Sequence, residues 1–218
     1  MNLAVLHLCD SLFPIGAFAH SDGLESATAD GRIASADDLR DWLAVCLDDS
    51  IGRLEGPAVW RAWSAARDGD ALALAALDEE LTALRPSSAA RQSSHAMGKR
   101  LLTTWRALHP DARLSAIRDA TSLPIAFAAA AACADLERRT AVESYAYTRL
   151  AATVSAAMRL LPVGQIEAHA LLARVLERVP RAVDRIAARG GGMLESFAPL
   201  LEIAAMSQQY VHSRLFRS

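Results

Sequence analysis

The sequence predicts an all-α protein, and three observations support this prediction. Apolar residues make up 52% of the 218-residue chain, whereas aromatic residues make up only 6%. The excess is alanine, the residue that loses least free energy on entering a helix. Residues 37–51 place apolar side chains at positions i, i+3, i+4, i+7 and i+8, the stripe of a helix with one buried face. No segment of comparable length alternates apolar and polar residues as a half-buried strand does.

Twelve helices are predicted in chain order, near residues 3–10, 22–30, 36–52, 55–68, 71–84, 88–108, 112–119, 123–137, 141–160, 164–178, 181–189 and 194–213. Short stretches with Pro, Gly or Ser separate many of them and end one helix before the next begins. In chain order these are RDGD, RPSS, LHPD, TSLP, LLPVG, RVP and RGGG. None is long enough for a flexible linker, so we expect one domain, 1–218, a bundle of about ten to twelve helices.

The three cysteines, Cys9, Cys46 and Cys133, lie far apart and match neither a disulfide framework nor a metal-ligand spacing. We interpret them as small buried apolar residues in a reducing compartment. The opening MNLAVLHLCDS has no basic segment followed by a long apolar run, and nowhere do about 18 uncharged apolar residues follow one another. The expected location is cytoplasmic, with no membrane contact.

Charge is distributed unevenly along the chain. Residues 1–80 hold 15 Asp and Glu against 5 Arg, whereas residues 81–218 hold 18 Lys and Arg against 10 Asp and Glu. Either the two parts pack together and neutralise each other, or separate acidic and basic faces meet different partners. An acidic first part repels DNA, which disfavours a helix-turn-helix regulator and any nucleic-acid partner.

The stretch SLFPIGAFAHSDGLESA, residues 11–27, places Ser11, His20, Ser21 and Asp22 close together. A serine hydrolase needs its serine on a strained turn, a histidine within hydrogen-bond reach and amides for the oxyanion. Adjacency in sequence supplies none of this geometry, and the G-x-S-x-G pattern is absent. The sequence therefore favours a structural role for this stretch.

A bend that lets a helix begin explains the same stretch better. Pro14 and Gly16 break the first helix, while Asp22 and Glu25 have the spacing of a capping box for the next one. The bent segment carries apolar side chains that must bury against the domain or against another protein: Phe13, Ile15 and Phe18.

Four motifs resemble, in order, those of UreF, the urease accessory protein family. DSLFPIGAFAHSDGLE (10–25) is similar to its N-terminal motif, and RQSSHAMGKRLL (91–102) to its Arg-x-x-Ser-x-x-Met-Gly helix. AAMRLLPVGQIEAHALL (156–172) resembles its Arg-Leu-[LIV]-Pro-[LI]-Gly-Gln segment, and PLLEIAAMSQQYVHSRLFRS (199–218) its chain end. Together the motifs span nearly the whole length.

The chain departs from the family pattern at three places. Gly16 is followed by Ala17 where the family usually has a second glycine, which predicts a stiffer bend. The family's Met-x-His-Glu is here residues 206–209, with Gln208 and Gln209, and its Tyr-Ser-Arg begins with His212. These changes remove an acid and a phenol from the tail.

The resemblance implies a non-catalytic protein that joins UreD, also called UreH, and the GTPase UreG in a complex delivering nickel to apo-urease, and that tends to dimerise. By the motif positions it implies partner-binding residues, which are Phe13, Pro14, Gly16, Phe18, His20, Ser21, Gly23, Glu25, Arg91, Ser94, Gly98, Arg159, Pro162, Gly164, Gln165, Met206, Tyr210, Arg214, Leu215, Phe216, Arg217 and Ser218.

No catalytic residue, cofactor or metal site is predicted. The phosphate loop G-x-x-x-x-G-K-[ST] is absent, and RGGGM (189–193) lacks its lysine and preceding strand. The six histidines include no i,i+4 pair, and Glu167 and His169 face different sides of a helix. A small-ligand enzyme with a buried pocket remains an alternative.

Four arginines in or beside the motifs are candidates for activating a GTPase, because a helper protein can place a guanidinium beside the transferring phosphate. They are Arg91, Arg100, Arg159 and Arg214. Each is equally explained as an ion-pair partner or interface contact. Arg181, Arg185 and Arg189 form a basic stripe of the kind that usually faces solvent.

The tail, residues 206–218, combines apolar and basic side chains. Leu215 and Phe216 lie beyond the predicted end of the last helix, flanked by Arg214 and Arg217. Burying both apolar side chains contributes roughly 3–6 kcal/mol before the ordering cost. We expect the tail to be loose in the isolated protein and to order in a groove of UreD/UreH, with Phe216 as the anchor; the alternative is folding back onto its own domain.

Overall fold

Helix α8, Leu123–Cys133, forms the centre of the protein in a computed structural model that describes residues 2–118 and 121–217. Every residue of α8 from Leu123 to Ala132 is buried. Helices α4, α6 and α9 pack against it. The alanine-rich sequence suits this position because small side chains let neighbouring helices approach closely on all sides.

The helices in chain order are α1 Leu3–Leu8, α2 Leu24–Ala29, α3 Ala36–Val45, α4 Gly56–Arg67, α5 Ala71–Ala83, α6 Ser88–Leu108, α7 Ala112–Ser115, α8 Leu123–Cys133, α9 Arg138–Leu160, α10 Gln165–Leu176, α11 Val179–Ala188 and α12 Pro199–Ser207. Short 3₁₀ turns occupy Ala17–Ala19 and Gln208–Tyr210, and a π-helix occupies Cys46–Glu55. The described residues contain no strand, so the all-α prediction is confirmed.

The helices predicted at 36–52 and 55–68 are joined by the π-helix without a break. Pro57 follows in the first turn of α4. It has no N–H to donate to the carbonyl of Arg53, and that carbonyl accepts the N–H of Glu195 at 3.0 Å instead. The wider turn of the π-helix and the N–H of Glu195 therefore allow Pro57 to lie within a continuous helical segment.

The helix predicted at 194–213 is shorter than expected. It begins at Pro199, a residue suited to the first turn of a helix. Residues 194–198 are not helical, and the N–H of Glu195 bonds the carbonyl of Arg53 in the π-helix. The predicted helix at 112–119 ends at Ser115, and residue 119 lies outside the described residues.

Two predicted partner-binding residues lie inside the helix packing. Ser94 and Gly98 are buried on α6, where Ser94 Oγ accepts the N–H of Leu123 at 3.2 Å. A Cβ atom at Gly98 would lie 2.1 Å from the carbonyl oxygen of Thr121. These residues let α6 contact the start of α8, and a partner reaches neither unless α8 moves.

The acidic and basic parts of the chain neutralise each other, as the first of the two predicted arrangements requires. Ion pairs that join residues 1–80 to residues 81–218 include Arg85–Glu55, Arg118–Glu79, Arg149–Asp22 and Arg178–Asp48. The arginines of α11 are not a solvated stripe alone, because Arg185 also contacts Asp48, at 3.2 Å.

The cysteines are half-buried rather than fully buried, and all three are free thiols. Burial raises the pKa of the Cys46 thiol to about 12 and that of Cys9 to about 11. Both therefore stay protonated at neutral pH. Within the described ranges, no helix has the length and hydrophobicity needed to cross a membrane.

Candidate protein-interaction site

Parts of the N-terminal motif, two central helices and the tail meet at one place. We call the contact between residues 10–26 and residues 204–217 the motif–tail junction. Helix α9 supplies Arg149 and Arg159 to it, and α6 supplies Arg100. Segments from opposite ends of the sequence thus pack against each other at the junction.

Glu25 of α2 organises the junction, and it is only 4% exposed. Its carboxyl oxygens accept hydrogen bonds from Nε2 of Gln208 at 2.5 Å, from the N–H of Leu215 at 2.5 Å and from the N–H of Phe216 at 3.2 Å. Hydrogen bonds to a buried carboxyl group leave costly unpaired donors if they are broken. One acidic side chain therefore holds the last helical turn and the tail together.

Helix α2 lies directly against α12 because two small residues allow it. A Cβ atom at Gly23 would lie 2.5 Å from the backbone nitrogen of Ala205. Ser26 donates its hydroxyl to the carbonyl of Ala204 at 2.7 Å, and its N–H bonds Oε1 of Gln208 at 3.2 Å. The close contact satisfies polar groups that would otherwise be buried without partners.

The predicted capping box of α2 is wrong. The N-cap is Gly23, whose φ of 88° is left-handed, and it makes no side-chain cap hydrogen bond. The side chain of Asp22 pairs with Nη2 of Arg149 at 2.6 Å, and that of Glu25 is taken by the tail. Stronger partners from distant elements replace the local cap.

The tail packs against its own domain, so the prediction of a loose tail is wrong. Phe216 is 4% exposed, and the guanidinium of Arg159 lies 4.3 Å from its ring centroid. The N–H of Arg217 bonds the carbonyl of Ala19 at 2.8 Å. Phe216 does act as an anchor, but the groove that it fills belongs to the same chain. Leu215 beside it remains 61% exposed.

Two arginines hold the bent segment by its carbonyl groups. Nη1 of Arg100 donates to Ile15 at 3.3 Å, and Nη1 of Arg159 donates to Phe18 at 3.0 Å. Gly16, which lies between Ile15 and Phe18 in the sequence, has a φ of 78°, which a glycine adopts without strain. Ala17, the departure from the family's second glycine, begins a 3₁₀ turn and does not have a positive φ.

A cleft of about 740 Å³ opens beside the bent segment. Its walls come from α1, the bent segment, α6, α8, α9 and the tail, and they include Leu8, Phe13, Leu101, Phe127, Ala151 and Phe216. Large apolar side chains in this region that stay in solvent include Leu6, Leu12, Phe18 and Tyr147, which are 55%, 85%, 76% and 42% exposed. Exposed aromatic and aliphatic side chains around a concave surface are typical of protein interfaces.

A buried ion network adjoins the junction through Asp22. Glu55 accepts hydrogen bonds from Tyr145 at 2.9 Å and from Nε of Arg149 at 3.3 Å, and it also pairs with Arg85. Burial opposes ionisation of Glu55, but Arg149 and Arg85 outweigh it and lower its pKa from 4.5 to about 2. Burial and the neighbouring carboxylate raise the pKa of Tyr145, which stays a donor.

His20 lies half-buried between the bent segment and the tail. Burial lowers its pKa, Asp22 opposes this, and Arg100, Arg149 and Arg217 add to the lowering. The imidazole is therefore neutral at pH 7.

The remaining predicted partner-binding residues divide by exposure. Phe13 and Ser21 are buried, Phe13 against Trp105 with ring centroids 5.9 Å apart. Arg91 donates to the carbonyls of Arg85 and Pro86. The exposed group is Pro14, Pro162, Gly164, Gln165, Met206, Tyr210 and Arg214, and Ser218 lies outside the described residues.

Sequence reasoning missed Gln208 and the network around Glu55. Gln208 is 1% exposed although it lies in the polar run Ser207–Gln209. Because Glu55 is followed by Gly56 and Pro57, its sequence context predicts a solvent-exposed side chain at the start of a helix. The one available signal was that acidic residues crowd the first part of the chain without nearby basic partners.

Across residues 2–118 and 121–217, no three His, Cys, Asp or Glu side chains are grouped closely enough to hold a metal ion.

Comparison with known proteins decides the family. The sequence model of UreF matches residues 33–176. The urease accessory protein UreF of Methylibium petroleiphilum is 33% identical over 222 residues, covering 99% of this chain and 93% of the relative. The UreF of Azoarcus sp. strain BH72 is 32% identical over 223 residues, covering 99% and 95%.

The chain belongs to the UreF family. Its curated relatives are named urease accessory proteins, so it is an accessory protein and not a catalyst. Residues 33–176 run from before α3 to the end of α10, while the motif–tail junction lies outside them. The two relatives align over the junction as well, because they cover nearly the whole chain.

Proposed function

We propose that this UreF family member is a cytoplasmic scaffold that bridges UreD/UreH and the GTPase UreG in the complex delivering nickel to apo-urease. A homodimer is part of the proposal. The name of its relatives supports the urease pathway, and the bridging role extends that name to particular partners. The observation that carries it is the side chain of Phe18, 76% exposed above a cleft while its own carbonyl is fixed by Arg159.

An exposed phenylalanine on a fixed backbone has only two side-chain torsions to restrict, so it loses little conformational entropy on binding. Leu12 and Tyr147 extend the same apolar region, and Leu215 adds an exposed side chain from the tail. Interface energies concentrate on such aromatic anchors in concave surroundings. The arrangement therefore supports docking of an apolar element of UreD/UreH at this cleft.

Exchange of one exposed apolar residue tests the proposal. Phe18→Ser removes the anchor, and Leu72→Ser on α5 is its matched control because Leu72 is 84% exposed and away from the cleft. Each tagged variant is co-expressed with UreD/UreH, UreG and apo-urease subunits. We expect Phe18→Ser to melt like the wild type, to lose UreD/UreH on purification and to lower the nickel content of urease.

Normal assembly with Phe18→Ser, or equal loss with Leu72→Ser, would contradict the assignment of this cleft. Failure of the wild-type chain to retain any urease accessory partner would overturn the bridging role itself. The two results are distinct, because the first leaves the wild-type complex intact.

A further inference from the structure

A second surface, remote from the junction, carries an arginine in contact with two tryptophan rings. The guanidinium carbon of Arg138 lies 4.8 Å from the ring centroid of Trp60 and 5.1 Å from that of Trp63. Trp60 and Trp63 are three residues apart on α4 and so lie on one face. We call these three half-buried residues the tryptophan clasp.

The clasp lies far from the surface assigned above. Arg138 begins α9 and Arg159 lies near its end, 21 residues on. At 1.5 Å per residue their backbones are about 30 Å apart. A partner at the clasp therefore contacts α4 and the start of α9, not the cleft beside Phe18.

Within the described parts of the chain, Nε1 of Trp63 donates to the carbonyl of Leu136 at 2.9 Å, whereas the donors of Arg138 and Trp60 have no acceptor. Nearby cations do have partners: Arg67 pairs with Asp135 at 2.9 Å, and Arg139 with Asp184 at 2.6 Å. Arg138 makes no hydrogen bond or ion pair with residues 2–118 or 121–217, and the buried Nε1 of Trp60 has none there either. The half-buried guanidinium of Arg138 therefore keeps N–H groups that a carboxylate of another molecule can accept.

The cation–π contacts leave the N–H groups of the Arg138 guanidinium unbonded to the described residues. A carboxylate can accept two such N–H groups in parallel, the strongest arrangement available to an arginine. Because the contacts with Trp60 and Trp63 already restrict the Arg138 side chain, it loses less conformational entropy on binding than a free side chain would.

The surroundings favour a peptide over a small anion. Gly191 lies against the clasp, since a Cβ atom there would be 3.0 Å from Cδ1 of Trp60. Two residues on, Met193 is 74% exposed. An apolar side chain beside a charged receptor adds contact area for a peptide that an inorganic ion does not use.

We infer that the tryptophan clasp binds a glutamate or aspartate side chain in an acidic segment of a partner protein. This goes beyond the scaffold role proposed above and does not depend on it. The two tryptophans supply the contact area, and Arg138 supplies charge and direction.

Titration of the full chain with an acetylated, amidated hexaglutamate peptide at low ionic strength tests the inference. Calorimetry measures affinity, and the change in fluorescence of Trp60 and Trp63 is measured over the background of the buried Trp42 and Trp105. We expect saturable binding with a fluorescence change, and about tenfold or greater loss of affinity for Arg138→Ala. Arg138→Lys keeps the charge and replaces the alanine variant in the test if that variant does not fold. It is also expected to lose most of the affinity, because an ammonium group cannot bind a carboxylate through two parallel N–H groups.

Arg174→Ala is the control for net charge, because Arg174 is exposed, makes no ion pair with the described residues and its loss changes the net charge by the same amount. Its binding is expected to equal that of the wild type. Equal losses for Arg174→Ala and Arg138→Ala would reduce the effect to net charge and overturn the inference. So would unchanged binding by both Arg138 variants, displacement of the peptide by an equal concentration of inorganic phosphate, or equal binding of hexalysine.

Discussion

The α6–α8 contact and the motif–tail junction solve the same packing problem by different means. In both, a glycine lets two backbones touch: Gly98 meets Thr121, and Gly23 meets Ala205. The first contact joins residues 23 apart in sequence, Gly98 and Thr121, and continues into a helix that is buried on all sides. The second joins residues 182 apart and depends on hydrogen bonds to one carboxyl group. Apolar burial makes the core, whereas polar bonds close the chain around it.

Gly98→Ala is expected to have the largest effect. The new methyl group would lie 2.1 Å from a carbonyl oxygen and 2.7 Å from the backbone carbon of Ser122, which are not free to move. We expect the free energy of unfolding in urea to fall by about 3 kcal/mol or more. Gly164→Ala is the control, since nothing lies within 4 Å of the added atom; its change is expected to stay within about 1 kcal/mol. Equal stability of the two variants would show that the close approach of α6 to the start of α8 does not depend on Gly98.

Glu55→Gln tests the buried network between the two regions. At neutral pH we expect a loss of about 3 kcal/mol, because Arg149 and Arg85 keep their charge without a carboxylate. Folding lowers the pKa of Glu55 from 4.5 to about 2. Its contribution is therefore complete above about pH 4.5 and is lost as the pH falls toward 2. Urea unfolding at several pH values should show the difference between wild type and variant shrinking over this window; a constant difference would contradict the assignment.

Gly23→Ala tests the junction. Its left-handed φ of 88° and the nearby backbone of Ala205 both oppose a side chain. We expect a loss of about 2 kcal/mol together with faster hydrogen exchange at the N–H groups of Leu215 and Phe216. Gly31→Ala separates strain from contact, because its φ is 72° with no atom within 4 Å. A loss as large for Gly31→Ala would mean that strain alone explains the effect.

Asp48→Asn is expected to have the smallest effect. The side chains of Asp48, Arg178 and Arg185 are 39%, 48% and 58% exposed. Exposed ion pairs contribute about 0.5 kcal/mol and are screened by salt. Thermal unfolding at low and high salt should show a small loss only at low salt. A large, salt-independent loss would place this pair with the buried network instead.

The two regions also differ in how far the sequence predicts them. Alanine content and helical periodicity predict α8 and its neighbours, because apolar burial depends on local patterns. The partners of Glu25 lie about 190 residues away, and its spacing to Asp22 matched a local cap that does not form. The tail was expected to order in a partner's groove because free chain ends are usually disordered, with folding back onto its own domain as the alternative. Polar contacts of this kind depend on partners far away in the chain, and a single sequence does not show which distant residues will meet.

The contacts of Glu25 also determine the order in which parts of the chain can fold during synthesis. Its partner Gln208 is translated 183 residues later and Phe216 191 residues later. While the ribosome makes the intervening helices, α2 has no tail to bond, and its carboxyl group has only water as a partner. The N-terminal motif therefore reaches its final packing after the core has formed, once residue 216 has left the exit tunnel. A chain that stalls before that point keeps α2 and the bent segment exposed to chaperones and proteases.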